Sequence, residues 1–289
     1  MDDPELHTLV AAITDQILAC PSRPEEAHYP CGWECTGCRQ RNAEACAEKT
    51  TKVVAAGANR VSSCMEVARR NPGVAGLIDH TLLKPEATRS DILRVCREAR
   101  QFGFASVCVN PYWVPTVASE LAASCVKVCT VAGFPLGASA VSIKCAEAEE
   151  ALRGGAQEID MVINVGALRS GEYEVVDREI RAVTEACHRA GAIVKTILET
   201  AFLDDRQKAV ACALARMAGA DFVKTSTGFG PAGATAEDVA LMRLVVGPEM
   251  GVKAAGGIRT LEDLRRMVAA GATRIGASAS VKIAEAAAT

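Results

Sequence analysis

Four lysines lie within predicted β-strands: Lys127, Lys195, Lys224 and Lys253. Lysine is a poor strand residue and is costly to bury, so lysines in strands require a chemical explanation. Lys224 and Lys253 each precede a glycine-rich segment, KTSTGFGPAG and KAAGGIR. If both side chains point into one interior, their like charges and partial desolvation would lower the pKa of one amine. A neutral amine can attack a carbonyl and form an imine, but a lysine pair could equally bind a phosphate group.

Two acidic residues lie in other strands of apolar character. Asp160, in EIDMVIN, is flanked by apolar residues, and a buried carboxylate normally needs a cationic or hydrogen-bonding partner. The lysine pair could provide that partner, and an imine reaction needs a group that moves protons. Asp79, in LIDHTLLKP, could belong to the same site or could cap the following helix. With Asp160 present, the pattern favours imine chemistry over phosphate binding alone.

Small and hydroxylated residues follow the last two predicted strands. Gly256 and Gly257 follow the seventh strand, and Ser278 and Ser280 follow the eighth. In barrel enzymes a phosphate is often held at this place, because glycines allow the backbone N–H groups to approach and a helix N-terminus favours an anion. These residues therefore predict a phosphate subsite beside the lysines.

The elements that would position these residues alternate between strand and helix from about residue 74. The predicted strands cover residues 76–80, 106–109, 126–133, 158–164, 193–200, 222–228, 251–257 and 274–278. Glycines that can cap helix C-termini end several of the intervening helical segments, namely Gly103, Gly155, Gly191, Gly219 and Gly271. Eight strands alternating with helices predict an α/β fold, a (β/α)8 TIM barrel. The chemistry of such barrels lies at the C-terminal ends of the strands, so Lys127, which opens its strand, should lie at the opposite end.

The composition and charge of the chain argue against nucleic-acid-binding and membrane-spanning proteins. The 289 residues are 49% hydrophobic and 4% aromatic, with a formal net charge of −3. Because no strongly basic face and no run of about 20 apolar residues is present, we expect neither nucleic-acid binding nor a membrane span. The first residues, MDDPE, lack the cationic region of a signal peptide, which predicts a cytoplasmic protein.

From residue 74 to 280 the chain resembles deoxyribose-phosphate aldolase. The resemblance rests on the segments LIDHTLLKP, SVCVNP, VCTVAGFPLG, GAQEIDMVINVGAL, KTILET, FVKTSTGFGPAGAT, VKAAGGIRT and GASAS. It implies a TIM barrel that reversibly cleaves 2-deoxy-D-ribose 5-phosphate, a sugar phosphate, to acetaldehyde and D-glyceraldehyde 3-phosphate. It also implies a reaction without a metal cofactor, and a homodimer.

The resemblance also implies roles for individual residues. Lys224 matches the Schiff-base lysine, Lys253 the second active-site lysine and Asp160 the proton-relay aspartate. Phe229 and Ala279 occupy places where some family members carry a lysine and a second serine, which puts the strength of phosphate binding in doubt. The implied substrate-binding residues are Asp79, Thr81, Thr227, Gly228, Gly256, Gly257 and Ser278.

Three further residues near these motifs are not expected to be catalysts. Cys108 matches a cysteine beside the pocket in some relatives, but a small buried cysteine usually fills space. Lys195 is expected to support the pocket electrostatically, and His80 to face the barrel wall or its helices.

The first 65 residues stand apart from the predicted barrel domain, residues 66–289. The spacing of apolar residues in residues 1–20 predicts an amphipathic helix. Its layout resembles the encapsulation peptides of bacterial microcompartments. Shell or core proteins of such a compartment are therefore candidate partners. The helix could equally pack on its own barrel or drive oligomerisation. Residues 21–65 are rich in cysteine and could bind zinc or an iron–sulfur cluster, or form a redox-sensitive loop. The candidate ligands are Cys31, Cys35, Cys38 and Cys46.

Two alternatives to this activity remain open. A Schiff-base barrel could act on a different aldehyde donor, or the barrel could be a scaffold for the N-terminal segment. The charged residues Lys224, Lys253 and Asp160 favour an active enzyme, because a scaffold does not need a buried charged trio.

Overall fold

A closed eight-stranded parallel barrel forms the body of the protein, and its strands follow one another around the barrel in sequence order. The computed structural model describes Thr8 and residues 73–288. The predicted (β/α)8 barrel is confirmed. The predictions for residues 1–65, apart from the single position Thr8, fall outside the described residues.

The strands and helices alternate along the chain. The strands are β1 (Ile78–Leu82), β2 (Ser106–Val109), β3 (Lys127–Ala132), β4 (Glu158–Val162), β5 (Ile193–Ile197), β6 (Phe222–Lys224), β7 (Gly251–Ala255) and β8 (Arg274–Ala277). The α-helices are α1 (Arg89–Phe102), α2 (Val114–Leu121), α3 (Val141–Arg153), α4 (Val165–Arg169), α5 (Tyr173–Arg189), α6 (Asp205–Met217), α7 (Ala236–Val246), α8 (Leu261–Ala269) and α9 (Ser280–Ala288). In the part of the chain that the structure describes, no helix is both long enough and apolar enough to cross a membrane.

The strands separate apolar from polar residues by the two-residue period of a β-strand. In β4, Ile159 and Met161 belong to the main hydrophobic core between the barrel and its helices. The alternate residues Glu158 and Asp160 are buried as well, but they contact charged groups of other strands. The barrel wall is therefore apolar on its helix side, and the interior holds the charged residues.

Local signals in the sequence set the helix ends. Thr88 and Asp91 form a capping box at the start of α1, in which each side chain accepts a hydrogen bond from the other's backbone N–H. Gly103 ends the same helix with a φ of 70°, a left-handed conformation that glycine adopts without strain. The other glycines predicted to follow helices also have positive φ, namely Gly155, Gly191, Gly219 and Gly271.

Strand β6 is shorter than the predicted segment 222–228, because it ends at Lys224. The hydroxyl group of Thr225 donates to the backbone carbonyl of Ala255 and accepts from the Ala255 N–H, both at 3.1 Å. The side chain thus takes the backbone partners that a continuing strand would use. Gly228 then turns the chain with a φ of 85°. As a result, Lys224 lies at the very end of its strand, next to the loops at the C-terminal face.

Candidate active site

The register of β6 and β7 places Lys224 directly opposite Lys253. Their ammonium groups meet the same carboxylate oxygen, Oδ2 of Asp160, at 2.8 Å from Lys224 Nζ and 2.7 Å from Lys253 Nζ. Asp160 lies on β4, three strands away from β7. The contact therefore crosses the interior of the barrel and brings the three predicted residues together.

A third lysine completes the surroundings of Asp160. Lys195 Nζ lies 2.8 Å from Asp160 Oδ1, and both side chains are fully buried. Burial alone would raise the pKa of Asp160, but Lys195, Lys224 and Lys253 outweigh it and hold that pKa well below its ordinary value. Asp160 is consequently a carboxylate at neutral pH.

A second ionic layer lies beneath this cluster, towards the N-terminal ends of the strands. Arg274 on β8 contacts Asp79 Oδ1 at 2.7 Å and Glu158 Oε2 at 3.0 Å. Lys195 joins the two layers, since its Nζ also lies 2.6 Å from Glu158 Oε2. Ser106 Oγ adds a hydrogen bond of 2.6 Å to Asp79 Oδ1. We call Asp79, Glu158 and Arg274 the lower ionic layer.

Lys253 also belongs to both layers, because its Nζ contacts Asp79 Oδ2 at 2.5 Å. Burial would lower the pKa of Lys253, but the neighbouring Asp160 and Asp79 carboxylates outweigh burial and raise it above the ordinary value. The pKa of Asp79 is held low, since Lys253, Lys195 and Arg274 together outweigh the effect of burial. Lys253 therefore remains a cation at neutral pH.

Two buried thiols lie beside Asp160. Cys129 Sγ is 3.4 Å from Asp160 Oδ1 and 3.3 Å from Lys195 Nζ, and Cys108 is its opposite residue on the neighbouring strand. The ligand atoms of Cys108, Cys129 and Asp160 all lie within 4.8 Å of one another, as a metal site would require. Three ammonium groups surround the same carboxylate, however, and would repel a metal cation. We therefore assign no metal to these residues.

A cavity of about 410 Å³ opens above Lys224 at the C-terminal face of the barrel. Phe229 forms part of its wall and packs edge-on against Phe134, with 5.3 Å between ring centroids. Lys224 is buried at the floor of this cavity and is the one lysine of the Asp160 cluster that lines it. Of the residues predicted to bind substrate, those that line the cavity are Thr81, Thr227, Gly228, Gly256, Gly257 and Ser278.

The remaining predicted residues lie away from the cavity wall. Asp79 is fully buried in the lower ionic layer. Ser280 is also buried and donates to the carbonyl of Ala277 at 2.8 Å, so it holds the start of α9. His80 faces helix α1, where its Nε2 lies 2.7 Å from Glu98 Oε2. Lys127 is exposed at the first residue of β3.

Sequence reasoning missed several charged residues of the site. Glu158 precedes Asp160 by two residues, so the strand period alone would have placed both on the same face. Arg274 is the first residue of β8 and lies two residues before Gly276, so the strand period places Arg274 and Gly276 on the same face. Arg259 lines the cavity directly after the KAAGGI segment. Glu199 was included in the predicted strand 193–200, whereas β5 ends at Ile197, and the strand pattern gave no sign that this glutamate contacts the loop after β6.

Comparison with known proteins decides the family. The profile of the DeoC/LacD family aldolases matches residues 74–283, which is most of the chain. This chain belongs to that family. The aldolase is 59% identical over 213 residues to deoxyribose-phosphate aldolase of Caldanaerobacter subterraneus subsp. tengcongensis, covering 73% of this chain and 92% of the relative. It is 58% identical over 210 residues to the Bacillus mycoides protein of the same name, covering 73% of this chain and 94% of the relative.

Solved structures agree with this assignment. A putative deoxyribose-phosphate aldolase from Coccidioides immitis matches the aldolase with a TM-score of 0.73 and 41% identity, covering 84% of this chain and 98% of that one. The aldolase QR15 matches with a TM-score of 0.71 and 42% identity, covering 75% and 96% of the two chains. The enzyme described here is therefore a lyase of the aldolase type on a TIM barrel.

Proposed function

We propose that this enzyme is a class I aldolase in which Lys224 forms an imine with an aldehyde. Its reaction is the reversible cleavage of 2-deoxy-D-ribose 5-phosphate to acetaldehyde and D-glyceraldehyde 3-phosphate. The observation that carries the proposal is the position of Lys224, which contacts the buried carboxylate of Asp160 and also lines the cavity. Lys195 and Lys253 contact the same carboxylate, but neither lines the cavity.

The neighbours of Lys224 support its role as the nucleophile. Lys253 retains its proton, because Asp160 and Asp79 raise its pKa. Lys224 lacks the second carboxylate contact that Lys253 makes to Asp79, and its side chain lines the cavity that a substrate would enter. We therefore propose that Lys224 is the amine that attacks the carbonyl.

The proposed chemistry begins with attack of the Lys224 amine on C1 of the open-chain sugar. The carbinolamine loses water and leaves a protonated imine. The C3 hydroxyl group then loses its proton, the C2–C3 bond breaks, and its electron pair moves through C2 towards the imine nitrogen. Glyceraldehyde 3-phosphate leaves, C2 takes up a proton, and hydrolysis of the imine releases acetaldehyde.

Asp160 is the group that we propose to move protons at the nitrogen of Lys224. Its Oδ2 lies 2.8 Å from Lys224 Nζ, within the reach required of a general base. Because three lysines lower its pKa, Asp160 is available in the acceptor form and holds an accepted proton only briefly. A water molecule in the cavity is the natural acceptor for the onward transfer.

We propose that the phosphate group binds near Gly256, Gly257 and Ser278. These residues line the cavity, and helix α9 begins at Ser280, two residues after Ser278. Backbone N–H groups at glycines and at a helix N-terminus suit an anion. Phe229 and Ala279 stand where some relatives have a lysine and a serine, so we expect backbone N–H groups to provide much of the phosphate contact.

The first test is reductive trapping of the imine. The protein is mixed with acetaldehyde or with deoxyribose 5-phosphate, reduced with borohydride, and the modified residue is mapped by mass spectrometry. We expect an adduct on Lys224. Lys224→Leu should abolish trapping and turnover, whereas Lys127→Leu, a matched change at an exposed strand lysine, should leave both unchanged. Folded protein without an adduct, or turnover by the Lys224→Leu variant, would overturn the assignment.

A different aldehyde donor is the second candidate function. The exposed ring of Phe229 at the cavity wall favours it, because an apolar ring there attracts a phosphate less than a lysine would. Comparing kcat/KM for deoxyribose 5-phosphate with kcat/KM for free deoxyribose separates the two candidates. Preference for the free sugar would support the second candidate.

The N-terminal segment carries separate proposals that depend on sequence alone. We propose that residues 1–20 dock the enzyme on a partner, such as a microcompartment shell or core protein, and that Cys31, Cys35, Cys38 and Cys46 bind zinc or an iron–sulfur cluster. A truncated and a full-length chain with equal metal content would remove the metal proposal. We also expect a homodimer, although a relative from Aeropyrum pernix is described as tetrameric. Light scattering of the full-length chain decides between these states.

A further inference from the structure

Glu199, two residues after the end of β5 at Ile197, has an unusual backbone for its residue type. Its φ is 54°, and among residues 73–288 no other residue apart from glycine has a positive φ. A side chain in this left-handed region strains the backbone and persists only where the surrounding structure holds it. Its side chain is only 3% exposed. What holds the side chain therefore indicates what Glu199 does.

The carboxylate of Glu199 accepts two hydrogen bonds from one residue of the β6–α7 loop. Glu199 Oε2 accepts from the backbone N–H of Thr227 at 3.1 Å and also from the Thr227 hydroxyl group. The same hydroxyl oxygen accepts from the N–H of Phe229 at 3.0 Å. A chain of hydrogen bonds thus runs from Glu199 through Thr227 to Phe229. Thr227, Gly228 and Phe229 all form part of the cavity wall.

The loop also packs closely against the Glu199 side chain, and the residues before and after Glu199 form backbone hydrogen bonds to the segment around Lys224. A Cβ atom at Gly230 would lie 2.9 Å from Glu199 Oε1, so the loop closes directly over the carboxylate. The residues on each side of Glu199 hold the backbone near Lys224: Leu198 N–H donates to Lys224 O at 2.9 Å, and Thr200 N–H donates to Thr225 O at 3.0 Å. Glu199 therefore joins the rigid end of the strand to the loop that follows the nucleophile.

We infer that Glu199 is a positioning residue that determines how the enzyme binds the part of the sugar phosphate beyond the reacting carbons. The inference rests on the proposed function. Glu199 does not line the cavity, so it acts through Thr227, Gly228 and Phe229. Because the Thr227 hydroxyl hydrogen is donated to Glu199, that hydroxyl can only accept a hydrogen bond from a substrate. The loop is thereby preorganised, and substrate binding does not have to order it.

The test separates binding of the whole sugar from chemistry at Lys224. Glu199→Ala removes the acceptor, Glu199→Gln keeps an acceptor of the same shape with a weaker, uncharged hydrogen bond, and Thr227→Val removes the hydroxyl partner. Glu249→Ala, at an exposed glutamate near the opposite end of the barrel, is the matched control. Two readouts are measured for each variant. The first is KM and kcat with deoxyribose 5-phosphate, and the second is the rate of borohydride-trappable imine formation with acetaldehyde, a two-carbon aldehyde that lacks the hydroxyl and phosphate groups of the sugar.

We expect Glu199→Ala and Thr227→Val to raise KM for deoxyribose 5-phosphate by about tenfold or more, as loss of a charge-assisted hydrogen bond predicts. The rate of imine formation with acetaldehyde should change less than about threefold in Glu199→Ala. The KM of Glu199→Gln should lie between the values for wild type and Glu199→Ala. The double variant Glu199→Ala/Thr227→Val should raise KM no more than either single variant, since both changes break the same contact. Should Glu199→Ala not fold, the Glu199→Gln and Thr227→Val variants decide by the same criteria.

Equal losses in the two readouts, or additive effects in the double variant, would overturn the inference. An unchanged KM in every variant would do the same. Wild-type protein that traps no acetaldehyde would instead count against the proposed function, so the two failures are distinguishable.

Discussion

Lys253 lies directly opposite Lys224 in the register of β6 and β7, and the two ammonium groups share one carboxylate oxygen. Two cations approach this closely only because the oxygen of Asp160 lies between them. Lys253 has a second carboxylate partner in Asp79, whereas Lys224 faces the cavity. The same pair of residues therefore contains one anchored cation and one amine that a substrate can reach.

Removing the anchored cation, Lys253, should slow imine formation without removing Lys224, the proposed nucleophile. We expect Lys253→Met to lower the rate of imine formation with acetaldehyde by about 100-fold, the low end of what a positioned catalytic group contributes. Lys253→Arg keeps the positive charge and should lose less. Rapid-quench trapping with borohydride measures the rate. A wild-type rate in the Lys253→Met variant would show that Lys224 does not depend on its neighbour.

The lower ionic layer should matter for stability. Arg274→Met leaves Asp79 and Glu158 without their shared guanidinium partner, and breaking a buried ion pair typically costs ~3–5 kcal/mol of the free energy of unfolding. The double variant Arg274→Met/Glu158→Leu removes opposite charges together and should be less destabilised than Arg274→Met. Denaturant unfolding provides the measurement.

An exposed pair provides the control for the Arg274 variants. Arg153 and Glu150 lie 2.6 Å apart on the surface of α3, and both side chains are more than half exposed. Because exposed ion pairs contribute ~0–1 kcal/mol, Arg153→Met should change the free energy of unfolding by no more than that amount. Equal effects of Arg153→Met and Arg274→Met would contradict the role assigned to the lower ionic layer.

His80 should make stability depend on pH below neutrality. Burial lowers its pKa from the ordinary 6.5, and this effect outweighs the hydrogen bond to Glu98, which acts in the opposite direction. The unfolded chain therefore binds a proton at a higher pH than the folded chain does. The stability that neutral His80 contributes is full above about pH 6.5 and is lost as the pH falls from there towards the folded-state pKa.

Replacing His80 by glutamine removes this titration. Urea unfolding at pH 5 and at pH 7.5 should show a smaller loss of stability on acidification for His80→Gln than for wild type. An identical loss in both proteins would show that other groups cause the acid dependence.

Phe229 should influence the preference for a phosphorylated substrate. Phe229→Lys places an ammonium group at the exposed cavity wall, where an ion pair contributes ~0.2–1 kcal/mol, which is about a 1.4-fold to fivefold change in affinity. We expect KM for deoxyribose 5-phosphate to fall by that factor, with kcat/KM for free deoxyribose unchanged or lower. Because salt screens exposed charges, the gain should shrink at high ionic strength. A gain that salt does not reduce would point to a change in loop shape instead.

The fold, and the strand lysines that we propose to take part in the reaction, could be picked out from the sequence. A lysine in a buried strand is so unfavourable that Lys224 and Lys253 stand out from their neighbours, and each of them shortly precedes a glycine-rich segment. The alternation of strands with glycine-ended helices predicts a parallel barrel, and such a barrel brings the C-terminal ends of its strands to one face. Local periodicity and the physical cost of buried charge were sufficient for the barrel and for the candidate lysines, whereas the choice of Lys224 over Lys253 as the nucleophile came from the resemblance to deoxyribose-phosphate aldolase.

Only the tertiary structure decided which charged groups become partners. Closure of the barrel joins Arg274 to Asp79, which lies 195 residues earlier, and brings Lys195 to Glu158 and Asp160. It also places Asp79, which was expected to bind substrate, in the lower ionic layer and not at the cavity wall. The carboxylate of Glu199 acquires its role in the same way, because the loop that it holds follows a different strand. Sequence periodicity says which face of a strand a residue occupies, but the closed barrel determines which residues meet across its interior.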